Sequence, residues 1–127
     1  MTPNEIARVV VDAALKVHTK LGPGLFESVY EAVLQYELEK RGLRVERQKV
    51  IPIVYEDLLI EEGFRIDLIV NGLLILELKS VDEIHPVHKK QLLTYLKLTD
   101  KQLGLLINFN VNLIKNGIFR VVNGLAE

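Results

Sequence analysis

The sequence lacks cysteine and tryptophan and contains a single methionine. Without cysteine the chain can form neither disulfide bonds nor thiolate metal sites. It also lacks an apolar run near the roughly 20 residues that a transmembrane helix needs. The N-terminal segment MTPNEIARVV has no basic region followed by a cleavage site, so it does not resemble a secretory signal peptide. We therefore expect a cytoplasmic protein that is not embedded in a membrane.

Neither sign of charge dominates the composition. Sixteen basic and seventeen acidic residues give a net charge of −1. This balance excludes a strong overall attraction to nucleic acid but allows a local basic patch. With 49% hydrophobic residues and a mean hydropathy of +0.20, the chain can build a substantial core. From the length we expect residues 1–127 to form a single domain.

The order of predicted elements indicates an α/β fold. Thr2-Pro3-Asn4-Glu5 forms a capping-box pattern before an amphipathic helix, which Gly22-Pro23 ends. A second helix over about residues 26–41 is expected to bury Val29, Val33, Leu34 and Leu38. A third is predicted over 86–98. Predicted strands cover residues 45–55, 58–60, 64–70, 73–79, 103–109 and 118–122. In the first of these strands, Pro52 favours an edge position or a bulge. The pattern predicts a mixed central sheet flanked by helices.

Two acids and a lysine stand at otherwise apolar strand positions. Asp67 lies in FRIDLIV and Glu77 in LLILELK, on the two arms of a hairpin that Asn71-Gly72 predicts. Neighbouring carboxylates repel unless a proton or a cation lies between them, and their oxygens suit hard cations. Lys79 follows Glu77 by two residues, so it lies on the same strand face. A salt bridge between Lys79 and either acid would explain the same pattern, and because Glu-x-Lys is a common sequence, the hairpin taken alone favours the salt bridge.

The third predicted helix carries a mixed polar and apolar face. Helical spacing places these residues together: His88, Gln91, Leu92, Tyr95 and Leu96. This face is more polar than packing against a core requires. Taken singly, His88 is typical of a helix surface, and Tyr95 is typical of a core residue with a bonded hydroxyl.

Four short motifs occur in a characteristic order. They are Gly24-x-x-Glu27-x-x-Tyr30, Asp67, Glu77-Leu78-Lys79 and Gln91-x-x-x-Tyr95. Together they resemble the GxxExxY family of the PD-(D/E)XK nuclease superfamily, over about residues 17–122. One departure is Ile66, which stands where the superfamily signature has a proline. The resemblance implies a restriction-endonuclease-like αβββαβ core and metal-dependent hydrolysis of phosphodiester bonds in nucleic acid, with DNA as the expected substrate.

The resemblance also implies a metal site that holds Mg²⁺ or Mn²⁺. Asp67 and Glu77 would bind the ion, and the main-chain carbonyl of Leu78 would be a third ligand. Glu27 would reach the same ion or its water shell. Lys79 would orient the attacking water and offset the charge on the phosphate.

The same resemblance assigns a role to the third helix. Gln91 and Tyr95 match the glutamine–tyrosine pair of RecB-like nucleases, which supports the site and contacts nucleic acid. An inactive or catalytically weak nuclease-fold module that binds nucleic acid is the main alternative. A structural protein whose acids form salt bridges is another. A homodimer is compatible with the sequence, which leaves the oligomeric state open.

The metal hypothesis requires one hairpin register. A two-residue Asn71-Gly72 loop would place Asp67 and Glu77 on opposite faces of the sheet. A three-residue loop with Gly72 in the left-handed region pairs Val70 with Leu74 and brings Asp67 opposite Glu77. We therefore predict the three-residue loop or a bulge near Asp67.

A basic surface is also expected along the third helix. It consists of Lys89, Lys90, Lys97 and Lys101. Phosphates would be drawn to these residues if they border the cleft that holds Glu77 and Lys79.

Overall fold

The computed structural model describes residues 1–126, which form a mixed sheet with helices on both faces. The helices are α1 (Pro3–Leu21), α2 (Glu27–Lys40) and α3 (Pro86–Thr99), with a short 3₁₀ helix at Ile114–Gly117. The strands are β1 (Val45–Tyr55), β2 (Leu58–Val70), β3 (Leu74–Lys79), β4 (Leu103–Asn108) and β5 (Ile118–Val122). None of the helices within residues 1–126 has the length and apolar character needed to cross a membrane.

The start of α1 follows the predicted capping box. The Thr2 hydroxyl accepts a hydrogen bond from the Glu5 amide at 3.1 Å, and the Glu5 carboxylate accepts one from the Thr2 amide at 2.9 Å. Pro3 occupies the first helical turn, where its missing N–H costs nothing. The helix ends at Gly22, whose φ of +71° is accessible to glycine.

Helix α2 buries Leu34 and Leu38 as predicted, but the rest of the predicted stripe differs. Val33 is half-buried, whereas Val29 is 38% exposed, so its predicted burial is wrong. The core side is formed by Tyr30, Leu34 and Leu38, all fully buried. These three residues recur at intervals of four, so they share a face that Val29 does not.

Strand β3 is the central strand of the sheet. The strand order is β1-β2-β3-β4-β5, with β3 and β4 parallel and the other pairs antiparallel. Helix α3 makes the crossover between the parallel strands. One core lies under α1 and α2, where strand residues such as Leu76 meet Val10 and Leu34. A second, smaller core lies under α3, where Ile75 and Leu92 meet.

The β2–β3 hairpin has the predicted register. Val70 pairs with Leu74 and Leu68 with Leu76, across a loop of three residues. Asn71 and Gly72 have φ values of +52° and +67°, as a left-handed turn requires. The three-residue loop is therefore confirmed, and it aligns Asp67 with Glu77.

Strand β2 is longer than the sequence suggested. The two segments predicted at 58–60 and 64–70 form one strand, Leu58–Val70. β1 is an edge strand, and its pairing with β2 is interrupted between Ile51 and Ile53, so Pro52 marks both an edge and a bulge. Gly63 permits this bulge, because a Cβ there would lie 2.5 Å from the Ile53 side chain. Residues 54–62, which we call the β1–β2 arm, are all exposed.

Candidate metal and active site

Asp67 and Glu77 lie side by side across the β2–β3 hairpin. The Asp67 amide donates to the Glu77 Oε2 at 2.9 Å, and the Leu78 amide donates to the Asp67 Oδ2 at 2.8 Å. Each carboxylate therefore accepts a main-chain hydrogen bond from the opposite strand. The regular pairing of the two strands ends at Leu68 and Leu76, immediately before these acids.

The backbone is irregular at the same level of the sheet. Ile66 and Ile69 both contact the α3 core although they lie three residues apart, so the alternation of strand faces breaks between them. On the neighbouring strand, Gln48 lies opposite Asp67 and has a φ of +51°. Left-handed backbone at a residue other than glycine is strained, and such strain concentrates at functional sites.

The electrostatics of the two acids disfavour a double negative charge. Burial, followed by the neighbouring Asp67 charge, raises the pKa of Glu77 from 4.5 to about 8. Burial also raises the pKa of Asp67, against the lowering effect of the hydrogen bond from Leu78. Two neighbouring carboxylates with little access to solvent are stabilised by a proton or by a cation between them.

Glu31 is a third acid near this pair, and the sequence analysis did not identify it. It is buried, with 6% of its surface exposed, and its Oε1 accepts from Arg47 Nε at 3.2 Å and Gln48 Nε2 at 2.8 Å. The same Gln48 amide lies 3.3 Å from the Asp67 Oδ1, so it links the two acids. A signal was present in the sequence, because Glu31 is a charged residue beside the buried α2 stripe.

The GxxExxY motif closes the loop between α1 and α2. The Tyr30 hydroxyl donates to the Gly22 carbonyl at 2.5 Å and accepts from the Leu25 amide at 3.2 Å. Its ring stacks on Phe109 with centroids 4.4 Å apart. The tyrosine of the motif therefore holds the loop that carries the glutamate.

We expect Tyr30→Phe to lower the free energy of unfolding by about 0.5–1.5 kcal/mol, because it removes the hydrogen bonds of the hydroxyl to partly buried main-chain groups. Urea unfolding measures this loss. Tyr36→Phe is the matched control on the same helix, since Tyr36 is 61% exposed. Equal stabilities of the Tyr30→Phe variant and the wild type would contradict the proposed function of the hydroxyl.

Glu27, the first residue of α2, lies in space beside the end of β3, beyond the acid pair. Its Oε1 accepts from the Ser80 amide at 3.3 Å, and the Ser80 hydroxyl donates to the Leu25 carbonyl at 2.7 Å. Glu27 is exposed, so it faces the solvent side of the site. These contacts connect the start of α2 to the strand that carries Glu77 and Lys79.

Lys79 is half-buried and forms no ion pair with Asp67 or Glu77 among residues 1–126. The positive charge of Lys79 still acts on the site, because it offsets part of the rise in pKa that burial causes in both acids. The simple salt bridge considered from the sequence is therefore not formed. The ammonium is close enough to influence the carboxylates and remains available to another anion.

Helix α3 contributes Tyr95 to the wall of the site. Tyr95 is half-buried and stacks on Phe64, with ring centroids 4.4 Å apart. Burial and then the charges of Glu77 and Asp67 raise its pKa, which places its hydroxyl within electrostatic reach of both acids. Gln91, its predicted partner, is exposed on α3.

The predicted lysine surface divides into two parts. Lys89 and Lys90 lie in the first turns of α3, and Lys89 sits over the Phe119 ring at 4.3 Å. Lys101 donates to the Gly72 carbonyl at 2.7 Å, so it lies at the hairpin turn, at the opposite end of β3 from Lys79. Its predicted place beside the cleft is therefore wrong, because α3 runs antiparallel to the strands and carries its C-terminal end away from the site.

The donor atoms fit a magnesium-type ion. Among residues 1–126, no three His, Asp or Glu side chains converge closely enough to enclose a metal. Mg²⁺ does not need such a cage, because it retains several waters and commonly binds through one or two carboxylates. Asp67 and Glu77 supply this pair. Leu78 can contribute only its main-chain carbonyl, because its hydrocarbon side chain has no donor atom; that side chain packs in the core under α1 and α2.

Comparison with known proteins identifies the family of the chain. A family model described as the PD-(D/E)XK nuclease superfamily matches residues 4–121, nearly the whole chain. Searches of curated proteins and of solved structures found no match. The matched segment contains the acid pair, Lys79, strands β1 to β4 and all but the last residue of β5. The chain therefore belongs to the PD-(D/E)XK nuclease superfamily.

Proposed function

We propose that this protein is a divalent-metal-dependent nuclease of the GxxExxY family that hydrolyses phosphodiester bonds of nucleic acid, with DNA as the expected substrate. One observation carries the proposal: two carboxylates, the partly buried Asp67 and the buried Glu77, adjoin across a hairpin, and Lys79 stands nearby without an ion-pair partner within residues 1–126. A purely structural hairpin gains nothing from burying two like charges.

The residues have distinct proposed roles. Bound Mg²⁺ or Mn²⁺ supplies Lewis-acid activation of the phosphate and of a water. Asp67, Glu77 and the Leu78 carbonyl hold the ion, and Glu27 contacts its water shell from the end of β3. Lys79 orients the attacking water and stabilises negative charge on the phosphate. Gln91 and Tyr95 are proposed to contact nucleic acid from α3.

A binding module without cleavage is the second candidate. The net charge of −1 favours it, because it provides weak overall attraction to a polyanion. The two candidates make different predictions about chemistry. A module would bind nucleic acid in a salt-dependent manner and leave it intact with every metal.

A cleavage assay with matched substrates distinguishes them. Single-stranded DNA, duplex DNA and RNA of one sequence would be incubated with the protein and EDTA, Mg²⁺ or Mn²⁺. We expect products with the metals and none with EDTA or with the Asp67→Asn variant. Calorimetric titration of Mg²⁺ and Mn²⁺ into both proteins measures whether Asp67 contributes to the metal site. Intact substrates under all metal conditions would contradict the nuclease assignment.

The lysines at the start of α3 should contribute to nucleic-acid binding. We expect Lys90→Ala to weaken binding similarly for all sequences, and to reduce the slope of log affinity against log salt by about 0.7–0.9. Lys97→Ala is the comparison, because Lys97 lies in the last turn of the same helix. Salt titrations by fluorescence anisotropy measure both slopes. Equal effects of the two substitutions would contradict the placement of phosphates near the start of α3.

A further inference from the structure

Phe26 is the most exposed large hydrophobic residue within residues 1–126, with 82% of its surface accessible. It immediately precedes Glu27, at the N-cap of α2. The phenyl ring is therefore accessible to a ligand.

The loop that carries Phe26 is tied down on both sides. The Leu25 carbonyl accepts from the Ser80 hydroxyl, and the Glu27 carboxylate accepts from the Ser80 amide. The Tyr30 hydroxyl bonds the Leu25 amide and the Gly22 carbonyl from below. The phenyl ring is thus presented to solvent on a fixed backbone, which lowers the entropy cost of binding a ligand.

The position of the loop connects the ring to the acid pair. Ser80, which bonds both chain neighbours of Phe26, directly follows Lys79 and lies three residues beyond Glu77. The loop that carries Phe26 is therefore joined by hydrogen bonds to the end of the strand that carries Lys79. Aromatic rings stack on nucleobases whatever the sequence, but only on bases that are not already stacked within a duplex.

We propose that Phe26 is a stacking site for one unpaired nucleobase beside the reacting phosphate, so that the substrate class is single-stranded nucleic acid. This inference rests on the proposed function for the identity of the neighbouring site. The base adjacent to the bound phosphate rotates out of the strand and stacks on the phenyl ring. The stacking involves no covalent step and needs no metal.

The acidic residues of the β1–β2 arm favour a single-stranded substrate over a duplex. Strand β2 is antiparallel to β3, so its first half continues past Lys79, where β3 ends. The charged residues of the arm are Glu56, Asp57, Glu61 and Glu62, all acidic. They repel phosphates on that side of the site. A duplex would bring a second phosphate backbone toward these acids, whereas a single strand can approach along Phe26 and α3.

Two substitutions at position 26 test the stacking. Phe26→Ala removes the ring, and Phe26→Trp retains an aromatic surface and introduces a sole tryptophan, since the chain has none. Tyr36→Ala is the control, because Tyr36 is an exposed aromatic on the same helix outside the loop. Binding of single-stranded and duplex DNA of one sequence would be measured in EDTA. Melting temperatures would confirm that all variants are folded.

We expect Phe26→Ala to weaken single-strand binding by about 5- to 150-fold, the range for loss of one stacked base. Phe26→Trp and Tyr36→Ala should bind like the wild type, and duplex binding should change by less than about twofold. Tryptophan fluorescence of Phe26→Trp should change when single strands saturate the protein. In cleavage assays, Phe26→Ala should raise KM for single strands with little change in kcat, because stacking acts on ground and transition states alike.

The experiments distinguish failure of the stacking site from failure of the proposed nuclease function. A folded Phe26→Ala variant that binds single strands as tightly as the wild type overturns the stacking site, even if cleavage is normal. Unchanged tryptophan fluorescence at saturation, or a larger loss of duplex than of single-strand binding, overturns it as well. Ring-dependent binding of single strands without metal-dependent cleavage supports the stacking site and overturns the proposed nuclease function.

Discussion

Replacing Lys79 with methionine should reduce the cleavage rate by about 10²–10³-fold while metal affinity holds or rises. The ammonium lies near Asp67 and Glu77 but pairs with neither among residues 1–126. Its removal therefore takes a positive charge away from the metal position, which relieves repulsion of the cation. The same removal leaves the attacking water without its positioning group and the phosphate without charge stabilisation.

The Asp67→Asn variant is the matched comparison, because it should lose metal affinity and cleavage together. Melting temperature, Mn²⁺ affinity and cleavage rate would be measured on both variants and the wild type. A salt-bridge role for the lysine makes the opposite prediction, since Lys79→Met would then mainly lower stability. A Lys79→Met protein that melts early yet cleaves at the wild-type rate would end the catalytic assignment of this lysine.

Without metal, the protein should become less stable as the pH rises from about 4.5 to about 8. Burial and the Asp67 charge raise the pKa of Glu77 to about 8 from its ordinary 4.5. Between these values the folded protein keeps a proton on Glu77 that the unfolded chain releases. The folded state thus binds more protons, and the free energy of unfolding falls with pH. The contribution of one group is at most roughly 1.4 kcal/mol per pH unit.

Urea unfolding in EDTA at several pH values measures this slope. Glu77→Gln should reduce it to the contribution of Asp67, whose pKa burial also raises, and should unfold at higher urea than the wild type near pH 8, because a neutral amide needs no counter-charge. Glu62→Gln is the control, since Glu62 is exposed on the β1–β2 arm. Saturating Mg²⁺ should also flatten the wild-type slope, because a bound cation replaces the proton between the acids. An identical slope in wild type and Glu77→Gln would contradict this account.

Local sequence patterns were sufficient for most of the fold. The capping box at Thr2, the stop at Gly22 and the apolar periods predicted the helices to within a few residues. The hairpin register followed from the hypothesis that Asp67 and Glu77 share a metal site. Because a strand has a period of two, one residue of slip would have placed the two acids on opposite faces of the sheet. The motifs placed Asp67, Glu77 and Lys79 together for the same reason, since all three belong to one hairpin.

The tertiary structure alone decided which other residues reach that hairpin. Glu31 and Gln48 contact each other across 17 positions of sequence, and Ser80 bonds Glu27 across 53. The position of Lys101 away from the site depends on how α3 packs against β3. The exposure of Phe26 beside Ser80 depends in the same way on the packing of α2. Periodicity specifies which face of an element a residue occupies, because backbone geometry repeats locally. It contains no distance between elements, so contacts across the sheet and its helices are defined only once the chain has packed.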